Sequence, residues 1–107
     1  EFADCFGKPC VFKEDEIFKM FYSYRSATEY RTNADKSYRL GYAESSNGIN
    51  WARKDYNMNF PLSEDGWDSM MNEYSSTYYF KGRRYIVYNG NGFGETGFGY
   101  AVLDRIF

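Results

Sequence analysis

The chain has 107 residues, with 13 basic and 15 acidic side chains, no histidine, 22% aromatic residues and 10 glycines. A formal charge of -2 and a pI near 5.1 exclude an electrostatic nucleic-acid grip, which needs a clustered basic surface. The missing histidine excludes His-based triads, imidazole zinc sites and histidine pH switches, leaving acid–base chemistry to carboxylates, Tyr and Lys.

The chain opens on Glu1-Phe2 rather than Met, which is expected of a processed chain, a piece of something longer, or vector-derived residues. No stretch approaches the roughly 18–20 apolar residues of a membrane span or signal core, so a soluble, cytoplasmic protein with no membrane partner is expected. Cys5 and Cys10 stand five apart without a C-x-x-C pair. Free or buried thiols are expected there, and neither a metal nor a cofactor.

Hydrophobic periodicity then runs at two. Ile17 to Tyr24 reads I-F-K-M-F-Y-S-Y and Tyr38 to Ser45 reads Y-R-L-G-Y-A-E-S. Tyr78 to Phe80 leads into Lys81-Gly82, Tyr85 to Asn89 reads Y-I-V-Y-N, and Gly97 to Leu103 reads G-F-G-Y-A-V-L. Short aromatic and β-branched runs bounded by Gly, Asn, Asp and Ser predict strands, while Ser63 to Tyr74 holds at most a turn. Ser45-Ser46-Asn47-Gly48-Ile49-Asn50-Trp51 predicts a tight type I′ hairpin with Asn-Gly at its tip and Trp51 packed between layers.

The runs also repeat. Tyr22 aligns with Tyr88 and Met20 with Ile86; Gly41-Tyr42-Ala43 aligns with Gly99-Tyr100-Ala101. Each unit has an entering strand, a turn (Glu14-Asp15 or Lys81-Gly82), an aromatic strand, a polar loop and a G-Y-A strand, with the first loop about eight residues longer by this alignment. The predicted fold is all-β: two four-stranded antiparallel propeller-like blades, over residues 3–56 and 57–107, of a single domain. Two blades leave open sheet faces, so either copies associate as a homo-oligomer or a longer propeller chain covers them.

Three strings, Tyr38 to Trp51, G-W-D-S at Gly66 to Ser69, and Y-N-G-N-G-F-G-E-T-G-F-G-Y-A at Tyr88 to Ala101, make the chain resemble the C-terminal part of glycosidase-like five-bladed β-propeller proteins, related to glycoside hydrolase families 43 and 32. The resemblance covers roughly residues 6 to 103 and implies a carbohydrate ligand. Members are about three times as long and draw their carboxylates from different blades, so two blades hold at most part of the set. Near Trp67 the family pattern resembles W-D-S-E-M-x-x-Y-P, whose Glu looks like a general acid. Here Met70 occupies that place, Ser75 replaces the Pro, and a methionine donates no proton.

The remaining catalytic candidates are Asp68 and Glu73, because glycoside hydrolysis needs two carboxyl groups, one with a raised pKa. Each also reads as structural: Asp68 as a turn cap, and Glu44 and Glu95 as paired or exposed carboxylates. Candidate saccharide contacts are Arg25, Arg39, Asp68, Asn89 and Asn91. The resembling family has Arg at positions 25 and 39, where a planar fork could grip an anionic sugar; the blander and weightier reading is a surface ion pair with Glu29, Asp35 or Glu44. The run Asn89 to Gly94 is a weak phosphate-loop match, since no helix follows it. Two readings follow: a carbohydrate-binding or carbohydrate-processing portion without competent catalysis of its own, or a non-catalytic module that self-assembles.

Overall fold

The computed structural model describes residues 5–58 and 62–103. Its elements are seven strands: β1 (Cys5–Glu14), β2 (Ile17–Arg25), β3 (Arg39–Ser45), β4 (Ala52–Arg53), β5 (Glu73–Phe80), β6 (Arg83–Asn89) and β7 (Phe98–Leu103). Short 3-10 turns lie at Ala34–Lys36, Asp55–Asn57 and Asn91–Gly94. Strands β1-β2-β3-β4 form one antiparallel sheet in chain order and β5-β6-β7 a second. The first sheet has the expected four strands. The second shows three among the described residues, and the positions after Leu103 lie outside them.

The two sheets share one pairing scheme. Tyr22 sits opposite Gly41 and Met20 opposite Ala43, as Tyr88 sits opposite Gly99 and Ile86 opposite Ala101. Both glycines lie under an aromatic ring: a Cβ on Gly41 would fall 2.5 Å from the Tyr22 ring, and one on Gly99 2.5 Å from the Trp67 ring. The entering strands carry matching irregularities, with register shifts between Gly7 and Cys10 and between Glu73 and Ser76. At each, one non-glycine residue takes a left-handed conformation, Lys8 at φ 50° and Tyr74 at φ 53°. Such bulges re-aim a side chain at a strand end.

The connecting turns depart from expectation. The tight two-residue hairpin falls at Asp15-Glu16, with φ 53° and 65°, matching Lys81-Gly82 at 49° and 81°; positive φ at both central residues is the type I′ signature. At Asn47-Gly48 only the glycine has positive φ. That loop is wider because side chains organise it: Ser45 Oγ accepts from Gly48 N (2.8 Å), and Asn47 Oδ1 accepts from Ile49 N and Asn50 N (2.9 Å each).

Alternation along β2 sets the core. Phe21 faces the second sheet and joins Leu40, Tyr42, Met58, Ile86 and Tyr88 in one buried cluster, with Phe12, Trp67, Ala101 and Leu103 packed against it. Ser23 lies on the same face and its Oγ accepts from Tyr74 N at 2.8 Å, while Arg84 reaches back to Glu14 at 2.9 Å. Met20 and Tyr22 point the other way. Trp51 joins them there, lining a hollow of about 350 Å³ on the far side of the first sheet. Trp67, stacked on Tyr88 at 5.3 Å, is the tryptophan between the two sheets.

Candidate functional site

At one end of the stacked sheets the β2 terminus, the 26–38 loop, the β5 bulge and the 91–94 turn bring together arginines and aromatic rings. Tyr38 and Tyr74 pack edge to face at 5.3 Å with their hydroxyls 3.1 Å apart, and burial together with this bond pushes the Tyr74 phenol up to about 12. Phe93 closes the cluster, 5.6 Å from Tyr38 and 6.0 Å from Tyr74. Its φ of 59° is what swings the ring inward from a Gly-rich turn. Arg25 stacks over Tyr30 at 3.8 Å, donates from Nε to the Tyr38 hydroxyl (3.2 Å) and from a terminal nitrogen to Ser26 O (2.8 Å). Arg31 lies over the Phe93 ring at 4.8 Å.

Two clefts flank these rings. The first, about 380 Å³, is lined by Lys8, Arg25, Tyr38 and Tyr74 together with Cys5, Phe6 and Gly7. Both left-handed bulge residues, Lys8 and Tyr74, therefore open on it. The second, about 360 Å³, is lined by Arg31, Met70, Met71, Asn91, Gly92, Phe93 and Glu95. Met70, at the position where the resembling family carries its acid, thus borders a cleft with a thioether rather than a carboxyl group.

Asn91 does not reach into that cleft as a free amide. Its Oδ1 accepts from Met70 N (2.6 Å) and Met71 N (3.1 Å), and its Nδ2 donates to Gly66 O and Ser69 Oγ (3.1 Å each). Two bonds at each end use up the amide's capacity, so Asn91 is the clamp that holds segment 66–71 against the second sheet. Asn91→Ala is expected to cost about 2–4 kcal/mol, at about 1 kcal/mol per lost bond, read as a lowered urea midpoint.

The carboxylate candidates are interior. Glu73 is fully buried at the β5 bulge, with no hydrogen-bond partner for either oxygen among the described residues. Burial pushes its carboxyl up to about 7, against a weaker opposing pull from Arg31, so it stays largely protonated below neutrality. Asp68 is buried too: its Oδ2 accepts from the Tyr88 hydroxyl at 3.2 Å and its Oδ1 has no hydrogen-bond partner among the described residues. Neither lines the two clefts. Glu44 accepts from Tyr42 and Lys54 at 2.7 Å each, and those partners hold its carboxyl below the usual range.

Of the remaining candidates, Arg39 pairs with Tyr24 and so projects from the opposite side of the first sheet to Arg25. It donates to Tyr38 O (3.0 Å) and Ala34 O (2.6 Å), closing the turn at 34–36. Asn89 sits in β6 between Glu73 and Phe98, with Gly94 over its amide. Arg25 is therefore the sequence-derived arginine that lines a cleft. Tyr30, Arg31, Tyr38, Tyr74, Phe93 and Lys8 join the site without a sequence signal, because their convergence depends on three left-handed residues, Lys8, Tyr74 and Phe93, and a loop. Cys5 and Cys10 are free thiols, and among the described residues no three acidic or thiol side chains converge on a metal-sized point. No helix is long and apolar enough to cross a membrane among the described residues.

Two stacked antiparallel sheets with a cleft at their strand ends define an all-β, propeller-like architecture. No family model matches the chain. Over 98 residues it is 34% identical to the uncharacterized protein MT1551 of Mycobacterium tuberculosis (strain CDC 1551 / Oshkosh) and 33% identical to the uncharacterized protein Rv1502 of Mycobacterium tuberculosis (strain ATCC 25618 / H37Rv). Each match covers 92% of this chain but 30% of the relative, so the chain spans under a third of the curated proteins it matches. An exo-1,5-α-L-arabinanase from a bovine ruminal metagenomic library superposes with a TM-score of 0.59 at 18% identity, over 94% of this chain and 35% of that one. The Cellvibrio cellulosa α-L-arabinanase complexed with arabinohexaose gives 0.59 at 14% identity, over 92% and 32%. At these identities the likeness is one of fold.

Proposed function

We propose that the chain is a twice-used blade plan from a glycosidase-like propeller, and that it binds an acidic saccharide in the Lys8–Arg25–Tyr38–Tyr74 cleft without cleaving it. The observation that carries this reading is Arg25, held by Tyr30 and Tyr38 at the mouth of a cleft walled by aromatic rings. Aromatic faces suit the apolar faces of sugar rings, and two cations select a carboxylate or phosphate on the sugar. The two arabinanases with this fold support a carbohydrate ligand. The lack of cleavage follows from Met70 and from the burial of Asp68 and Glu73, which leave no pair of carboxyl groups among the described residues facing one another across a cleft.

Titration with oligogalacturonate and with a neutral arabino-oligosaccharide tests the reading. Saturable binding of the acidic sugar is expected, weakened about 10- to 100-fold in Arg25→Gln, since a charged hydrogen bond is worth about 1.5–3 kcal/mol. Equal affinity for both sugars, or an unaffected variant, contradicts it. Hydrolysis of a chromogenic glycoside by the isolated chain contradicts the non-catalytic part.

A further inference from the structure

The shared pairing scheme relates the exposed surfaces of the molecule to its buried one. Along β1-β2 and β5-β6, residues 66 positions apart occupy corresponding places, as Tyr22 and Tyr88 show; along β3 and β7 the spacing is 58, as for Gly41 and Gly99. In the buried interface the first sheet contributes Phe21, Leu40 and Tyr42, and the second Ile86 and Ala101. The counterparts of the first set are Val87, Phe98 and Tyr100, on the outward face of the second sheet. The counterparts of the second set are Met20 and Ala43, on the outward face of the first sheet.

The chain thus exposes, on opposite sides, the two surfaces that it buries against each other in its middle. Both are apolar. Phe98 and Tyr100 are 77% and 66% exposed on one side, and Val11 is 52% exposed on the other, beside the hollow lined by Met20, Tyr22, Ala43 and Trp51. The polar pair of the buried interface, Arg84 with Glu14, has counterparts that are both aromatic, Phe18 and Phe80. An outer-to-outer contact would therefore bring ring to ring where the internal one brings charge to charge, with the exposed Arg83 on the Phe80 side of the second sheet.

We infer that these faces are two halves of one interface, and that copies of this chain stack head to tail, the β5–β7 sheet of one on the β1–β4 sheet of the next. The contact is heterologous: each copy offers one face of each kind, giving a growing stack or a closed ring with an even number of blades. The inference does not depend on the saccharide reading.

Light scattering over a concentration series tests it, alone and with one face blocked at a time. The wild-type mass is expected to rise above 12.6 kDa in the micromolar range. Val11→Lys blocks one face and Tyr100→Lys the other; both sites are exposed, and a circular dichroism spectrum matching wild type shows that each variant folds. Each variant alone retains only one kind of live face and is expected to stay monomeric. An equimolar mixture regains one complementary pair and is expected to stop at a dimer. A monomeric wild type overturns the inference and assigns both faces to blades outside this chain. Dimers of either single variant also overturn it, by showing a like-to-like contact, as do aggregates that ignore both substitutions.

Discussion

Phe21→Ala is expected to lower the unfolding free energy by about 3–5 kcal/mol, the usual cost of removing a fully buried phenylalanine ring. Phe21 has no exposed surface and sits 5.6 Å from Phe12 and 5.5 Å from Tyr42, inside the cluster that joins the two sheets. Its loss leaves a cavity at the one surface where the sheets hold each other. Domains of this size keep about 5–15 kcal/mol in total, so the loss takes a large share of it. The matching control is Val87→Ala, at the corresponding position on the outward face of the second sheet, where about 1 kcal/mol or less is expected in the monomer. Urea titration followed by tryptophan fluorescence measures both, with the midpoint falling and the slope unchanged. Equal losses at the two sites would contradict the assignment of inner and outer faces.

Glu73→Gln is expected to stabilise the protein at alkaline pH and to flatten its pH dependence. Burial raises the folded-state carboxyl from 4.5 to about 7. Between these values the folded state holds a proton that the unfolded state has released, so stability falls as pH rises through this window. The contribution is fully present below about pH 4.5 and lost above about pH 7. The span corresponds to about 3 kcal/mol at about 1.4 kcal/mol per pH unit. Glutamine has nearly the same shape and no charge to desolvate, so the variant should lose the slope between pH 4.5 and 7 and be the more stable protein at pH 8. Unfolding midpoints of both proteins across pH 4–8 measure this. An unchanged slope in the variant would show that Glu73 is solvated or paired in the folded protein.

The strands were legible because period two, aromatic content and Gly-Asn-Ser boundaries agree for each of them. The matching registers rest on pairs visible in the sequence, Tyr22 with Gly41 and Tyr88 with Gly99, since a glycine opposite an aromatic leaves room for the ring. The bulges were not legible. Lys8-Pro9 and Tyr74-Ser75 look unalike, and a left-handed lysine or tyrosine leaves no compositional trace. The same difficulty moved the tight hairpin from Asn47-Gly48 to Asp15-Glu16, where two acidic residues take the conformation that glycine and asparagine usually supply.

At the site, the sequence places Arg25 at a strand end, where it lines a cleft, whereas the Asn91 amide is bonded within the chain. An asparagine in a Gly-rich loop suggests ligand contact, but its four hydrogen bonds are spent on the chain's own backbone and Ser69. Asp68 and Glu73 stand out in the sequence as carboxylates near the family motif. Sequence spacing carries no information on depth, and both prove to be buried. The aromatic wall of Tyr38, Tyr74 and Phe93 draws on three separate segments, so only the folded chain assembles it.

The cleft assignment is tested most directly by a two-dimensional NMR titration of the folded chain with oligogalacturonate, reading which backbone and aromatic signals move. The predicted result is a saturable set of shifts centred on Lys8, Arg25, Tyr38 and Tyr74, needing about 10- to 100-fold more saccharide in Arg25→Gln and weak or missing with the neutral arabino-oligosaccharide. Shifts centred instead on the outward sheet faces, around Met20 and Trp51 or Phe98 and Tyr100, or no shifts with any saccharide, would contradict it.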